Sequence, residues 1–169
     1  TCYEYGKKNG CLKESDQTFP LVPYAIAKKK LLQSILLLKK KKNFKFTWLR
    51  PFFVFGNNKK RKTLFSILKN NKTDEFSKLS LNGSLKRDFV SVKFLNQVIL
   101  KIFKLDIDIG ILNVCTGRGI TIKSFISKHL RNKKNIKFID MNGKNSNEFE
   151  PKSFWGDNTK LKKIIFNEN

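Results

Sequence analysis

From Tyr24 onward apolar residues recur at helical spacing. Ala27, Leu31, Ile35 and Leu38, with Leu32 and Leu36 beside them, predict a helix with an apolar core face. Lys39 to Lys42 follow, where cations suit the negative end of a helix dipole. Phe44, Phe46 and Trp48 then alternate with Lys45, Thr47 and Leu49, the periodicity of a strand, which runs on into Arg50-Pro51-Phe52-Phe53-Val54-Phe55-Gly56. The first residues, Thr1 to Pro23, read as a strand end entering a loop punctuated by Gly6, Gly10, Pro20 and Pro23. Asn57 to Lys62 reads as a basic loop, Leu64 to Leu68 as a short helix, and Asn82-Gly83 as a turn. Phe89 to Val92 predicts a short strand, and Leu95, Val98, Ile99, Ile102 and Phe103 mark an amphipathic helix. A strand at Ile111 to Val114, a helix at Thr121 to Leu130, a strand at Ile136 to Ile139 and a helix at Asn158 to Ile165 complete the pattern. Strands alternate with helices and no repeat is visible, so the expected class is α/β.

Composition narrows the class. The 169 residues carry 36 Lys+Arg against 13 Asp+Glu, a net charge of +23. At 40% hydrophobic and with 16 Phe, the chain is too apolar for a disordered basic tail. The apolar cluster Leu31 to Leu38 is broken by Gln33 and Ser34 and falls short of the roughly 18–20 residues a bilayer span needs. Thr1 to Gly10 has no apolar core of a secretory signal. Cys2, Cys11 and Cys115 form no C-x-x-C pair. With the single histidine, His129, they offer no zinc set. The expectation is a reduced, cytoplasmic protein without a membrane span or a metal, its thiols inert. The charge leaves one alternative function, a basic nucleic-acid-binding protein of ribosomal or organellar type. Against it, the abundance of Asn, Ile and Phe is that of an AT-rich coding sequence, which raises Lys without selection for a polyanion. His129 reads as a solvated or capping residue, Phe44, Phe46 and Trp48 as core positions rather than a base-stacking platform, and Lys59-Lys60-Arg61-Lys62 as a solvated loop.

Candidate chemistry begins at Tyr24 and Lys28. Four residues apart at the start of a helix, they share one face about one turn apart. An ammonium beside a phenol stabilises the phenolate and lowers a pKa that is normally about 10. Such a tyrosine can take and return the proton of an alcohol while a cofactor moves the hydride.

The surroundings of this pair carry a resemblance. Thr1-Cys2-Tyr3-Glu4-Tyr5-Gly6, then Glu14, Pro20 and Pro23-Tyr24-Ala25-Ile26-Ala27-Lys28, resembles the extended short-chain dehydrogenase/reductases, the NAD-dependent epimerase/dehydratase family. Trp48 to Gly56 is similar to the family's strand and turn beside the nicotinamide. Lys86-Arg87-Asp88-Phe89-Val90-Ser91-Val92 is similar to its RDFV-x-V element. Asn113 to Gly119 followed by Ile120-Thr121-Ile122 is similar to its NVGTG element, and Phe154-Trp155-Gly156-Asp157 to its closing segment.

The resemblance implies a C-terminal part of an NAD(P)-binding Rossmann-like fold plus a small α/β substrate-binding domain. Residues 1–56 would end the first, with the Tyr-x-x-x-Lys helix; residues 57–169 would mainly form the second, the chain crossing back to the Rossmann sheet. It implies an NAD(P)-dependent epimerase or 4-keto reductase acting on a nucleotide-activated sugar, with NAD or NADP as cofactor and a homodimer formed through the Tyr24 helix. Thr1 would hydrogen-bond the substrate at the reacting carbon, Tyr24 would be the general acid/base, and Lys28 would hold the nicotinamide ribose. Pro51 and Phe52 would lie by the nicotinamide, Phe53 by the sugar, and Arg87 on the substrate's phosphates. Cys2 and Tyr3 stand where the dehydratase branch has an Asp-Glu pair, which points away from elimination chemistry. The family's Gly-rich phosphate-binding turn is absent from these residues. Gly117-Arg118-Gly119 is the sole G-x-G, and Ile122 stands where the third glycine would be. The chain is therefore expected to be a partial one, inactive alone.

Overall fold

Pro23 at the first helical position needs no N–H partner and opens the longest helix of the described residues, α1 (Pro23–Lys41). Its last turn carries Lys39, Lys40 and Lys41, as the dipole favours. The structure, a computed structural model, describes residues 1–56, 65, 82–129 and 151–166. The expected loop at 57–62, most of the short helix at 64–68, the strand at 136–139 and the basic run at 59–62 lie outside the described residues.

The helix forms where the spacing predicts it, but with another face inward. Ala25 and Leu32 are buried, whereas Leu31, Leu36, Leu37 and Leu38 are exposed. The chain ahead of it also differs from the expected strand end. Cys2–Tyr5 is one turn of 3-10 helix, and a strand, β1, follows at Gly10–Leu12. Phe44 and Phe46 precede the next strand rather than belonging to it. That strand, β2, spans Thr47–Pro51 and is followed by β3 (Phe53–Phe55).

The later elements are β4 (Lys86–Arg87), β5 (Phe89–Ser91), α2 (Val92–Leu105), β6 (Gly110–Val114), β7 (Ile120–Thr121), α3 (Ile122–His129), β8 (Phe154–Gly156) and α4 (Thr159–Phe166). Local chemistry fixes several ends. Asn82 Oδ1 accepts from Ser84 N at 3.1 Å, forming the expected turn. Ser91 caps α2 by accepting from Phe94 N at 3.1 Å. Thr121 Oγ1 accepts from Ser124 N at 3.0 Å at the start of α3.

Every strand of the first 56 residues pairs with one from beyond residue 82. β1 runs parallel to β8, β2 to β6 and β3 to β5, while β4 and β7 are antiparallel. Parallel pairs need long crossovers, which the helices supply. At Phe52 the chain changes partner. Phe52 N donates to Val114 O at 3.1 Å, and Phe53 N to Asp88 O at 2.9 Å. The pairs β2–β6 and β3–β5 therefore diverge at that residue. Around it lies a core of Cys2, Tyr5, Leu12, Phe52, Val90, Val98, Leu112, Val114, Cys115, Phe154 and Leu161. Helix α4 packs on β6, and α2 on β3, β5 and α4.

One buried carboxylate ties the later strands together. Asp88 accepts from Thr116 N at 2.8 Å, Thr116 Oγ1 at 2.7 Å, Gly117 N at 3.0 Å and Gly156 N at 3.4 Å. Four donors on one charged acceptor offset the cost of burying it. Gly156 sits so close that a Cβ there would lie 2.5 Å from Cys115 Sγ.

Candidate active site

Thr1 caps the 3-10 turn in a reciprocal arrangement. Its hydroxyl oxygen accepts from Tyr3 N at 3.4 Å, and its backbone nitrogen donates to Glu4 Oε1 at 3.1 Å. With the oxygen accepting from the backbone, the hydroxyl keeps its own proton to donate. Glu4 is fully buried. Its carboxylate also accepts from Trp48 Nε1 at 3.0 Å and from Arg50 Nε at 3.0 Å, both on β2. Arg50, 3% exposed, donates further from Nη1 to the Tyr5 hydroxyl at 3.1 Å and lies 4.8 Å over the Tyr5 ring. Tyr5 in turn donates to Asn113 Oδ1 at 2.7 Å, and Asn113 N donates to Glu14 Oε1 at 2.9 Å. Burial pushes the Tyr5 phenol up to about 12, so it stays protonated as a donor. The turn bearing Thr1 is thus bolted to the ends of β2 and β6.

Tyr24 and Lys28 emerge on the first turns of α1, the helix that packs against this turn. The Lys28 ammonium stands 5.8 Å from the centroid of the Tyr24 ring, and the phenol is 58% exposed. The two side chains therefore share a face, as their spacing requires. Pro51 ends β2, and Phe52 turns inward against Tyr5 and Phe154, with centroids 6.5 and 6.0 Å away. Phe53 is half-buried, edge-on to Tyr3 at 5.9 Å. Arg87 is 2% exposed, its guanidinium 4.9 Å from the Phe154 centroid and 5.5 Å from that of Phe53. Its Nη1 donates to Lys86 O at 2.8 Å and to Lys152 O at 3.2 Å.

Glu4, Arg50, Tyr5, Asn113 and Asp88 carry this arrangement and were not among the expected site residues. For Glu4 a signal exists: Thr1-x-x-Glu4 has capping-box spacing. His129 is half-buried. Its ring packs on Phe125 at 4.6 Å, Phe55 at 5.2 Å and Phe65 at 5.4 Å. Cys2 and Cys115 are buried and Cys11 exposed, all three unbridged. Burial pushes the Cys2 thiol up to about 12 and Cys115 also upward, so neither is a ready nucleophile.

Parallel strand pairs that diverge at Phe52, with a Tyr/Lys helix beside them, define a partial Rossmann-like α/β fold. The chain belongs to the NAD dependent epimerase/dehydratase family, whose model matches residues 1–115. Among solved structures it is similar to a UDP-N-acetylglucosamine 4-epimerase from Methanobrevibacter ruminantium M1 in complex with UDP-N-acetylmuramic acid. That match has 24% identity and a TM-score of 0.80, and covers 99% of this chain and 55% of the other. A UDP-glucuronic acid 4-epimerase from Bacillus cereus, in complex with UDP-glucuronic acid and NAD, matches at 21% identity and a TM-score of 0.78, covering 99% and 54%. A UDP-glucose 4-epimerase from Thermotoga maritima with UDP-glucose matches at 20% identity and a TM-score of 0.71, covering 95% and 52%. The chain thus spans little more than half the length of these structures. No curated protein matches it in sequence.

Proposed function

We propose that the protein bearing this chain is an NAD(P)-dependent epimerase or 4-keto reductase of a nucleotide-activated sugar. The observation that carries this reading is the Lys28 ammonium set over the ring of an exposed Tyr24, on a helix packed against the turn that Thr1 caps. Tyr24 takes the proton of the reacting sugar hydroxyl and later returns it. The Thr1 hydroxyl donates to the oxygen at that carbon, which orients it towards Tyr24. The donor set fits the cofactor's inner end: an ammonium and a phenol one turn apart suit a ribose diol, and Lys28 holds it. Phe52 is turned into the core, so at Pro51 and Phe52 it is backbone that meets the nicotinamide. When bound, the nicotinamide supplies a hydride acceptor and donor at the sugar carbon. Phe53 lies along the sugar, and Arg87 is assigned to the diphosphate, which its buried guanidinium meets only when its aromatic seat opens.

Cys2 is buried and Tyr3 is a phenol, so neither supplies the carboxylate pair of elimination chemistry. The division at Gly56, a homodimer through α1 and a cytoplasmic location belong to the same reading. These 169 residues contain no glycine-rich strand-turn-helix for the cofactor's diphosphate, so alone they turn over no substrate.

The test uses the polypeptide of the complete reading frame, incubated with NAD or NADP and UDP-glucose, UDP-glucuronic acid or UDP-N-acetylglucosamine. Products are resolved by NMR. Inverted C4 product is expected from at least one substrate. Tyr24→Phe should lower kcat by about 10²–10⁴-fold, the usual contribution of a placed acid/base. Undiminished turnover in Tyr24→Phe would overturn the assignment.

A further inference from the structure

The proposed chemistry leaves unused a buried carboxylate beside Thr1. Glu4 is a fully buried carboxylate only three residues from Thr1, and two side chains of β2 hold it. Burying a charge is costly, and a short 3-10 turn needs only its backbone bonds and a cap. Glu4 does more than cap. Its Oε1 receives Thr1 N at 3.1 Å and Trp48 Nε1 at 3.0 Å, while Oε2 receives Arg50 Nε at 3.0 Å. The same arginine reaches Glu14 O at 3.4 Å and the Tyr5 hydroxyl at 3.1 Å. The carboxylate is therefore a bracket between Thr1 and β2, whose C-terminal end leads to Pro51 and Phe52.

We infer that Glu4 is a positioning residue: gripped by Arg50 and Trp48, it holds the Thr1 turn so that the Thr1 hydroxyl meets the substrate at a fixed distance from the end of β2. This rests on the reading of Thr1 as a substrate-binding residue. Glu4 touches no substrate itself and acts through Thr1. Small displacements are expensive in such a role, since about 1 Å of misplacement can cost about a hundredfold in rate.

The test is a double-mutant cycle in the complete protein, with Glu4→Gln and Thr1→Ala alone and together. Glu4→Gln should lower kcat by about ten- to a hundredfold and leave the KM for the cofactor unchanged. In the Thr1→Ala background it should lower kcat no further, because the group it positions is gone. Losses that multiply would overturn the inference and leave a merely structural carboxylate. Glu4→Gln also strips the buried Arg50 of its counter-ion and can fail to fold. Trp48→Phe removes one donor and no charge, and it should show the same vanishing of its smaller loss in Thr1→Ala.

A second readout needs no turnover. The amides of Tyr3, Glu4 and Gly6 donate to Thr1 Oγ1, Thr1 O and Tyr3 O. Their hydrogen exchange should quicken by about tenfold in Glu4→Gln or Trp48→Phe, with the core strands unchanged. Unaltered exchange in both variants overturns the inference. If the wild type turns over no sugar nucleotide while exchange quickens at these amides alone, the bracket stands and the reaction assigned above falls.

Discussion

Gly6 leaves the Thr1 turn at φ 70° and ψ −137°, a backbone conformation that residues with a Cβ avoid. A Cβ added there would also run into the carbonyl oxygen of Phe19. Backbone strain and steric conflict act together, so Gly6→Ala should destabilise by about 2–4 kcal/mol. Urea unfolding should show this as a lower midpoint at an unchanged slope. The same change should slow turnover beyond what stability explains, because Gly6 closes the turn that Glu4 braces. A midpoint within error of the wild type would mean that the loop around Phe19 yields freely. The neighbouring cysteine takes no part: Cys2 is buried beneath the turn and its thiol is held protonated.

Helix α3 ends in His129, the single histidine of the chain, with its imidazole against three phenylalanine rings. Burial first and Lys128 second push it below its ordinary value of 6.5. A histidine lowered in the folded state favours the neutral form there. Its contribution to stability is complete above 6.5 and is lost as pH falls from there through the lowered folded value. His129→Leu should remove that sag, and the difference between the two pH–stability curves isolates it. A sag on the alkaline side instead would reverse the assigned environment.

Elements also show how far the sequence could be read. The existence of α1 and α2 followed from periodicity, and the Tyr24–Lys28 face from spacing alone; Val92, read as the end of a strand, opens α2 instead. The buried side of α1 did not follow, because Leu31, Leu32 and Ile35 to Leu38 put apolar groups on nearly every side of the helix. Tertiary packing, which includes the Thr1 turn, leaves Ala25 and Leu32 as its buried positions. The brackets of the site were illegible for a different reason. Arg50 meets Glu4 across 46 positions and Tyr5 meets Asn113 across 108, partnerships fixed by strand pairing rather than by local pattern. The ring cluster at His129 was only partly legible: Phe125 stands one turn back on the same helix, but Phe55 and Phe65 come from far off in sequence.

At the scale of the molecule two surface properties oppose each other. Leu31, Leu37 and Leu38 on α1, and Ile99, Leu100 and Phe103 on α2, stand open, Phe103 at 84% exposure. Apolar surface of this kind favours association. The net charge of +23 keeps copies apart over a range set by salt, about 30 Å at 0.01 M and about 8 Å at 0.15 M. The 169-residue chain produced alone should therefore be dispersed at low ionic strength and self-associate as salt is added. Sedimentation across a salt series measures this. Leu37→Lys with Phe103→Lys should move the onset to higher salt, since both substitutions remove apolar area and add charge. Screening strengthens contacts between like-charged copies and weakens contacts between opposite charges. Association that dissolves as salt rises would therefore mean that the contacts are ionic and that the open leucine and phenylalanine rows are not what copies of the chain use to meet.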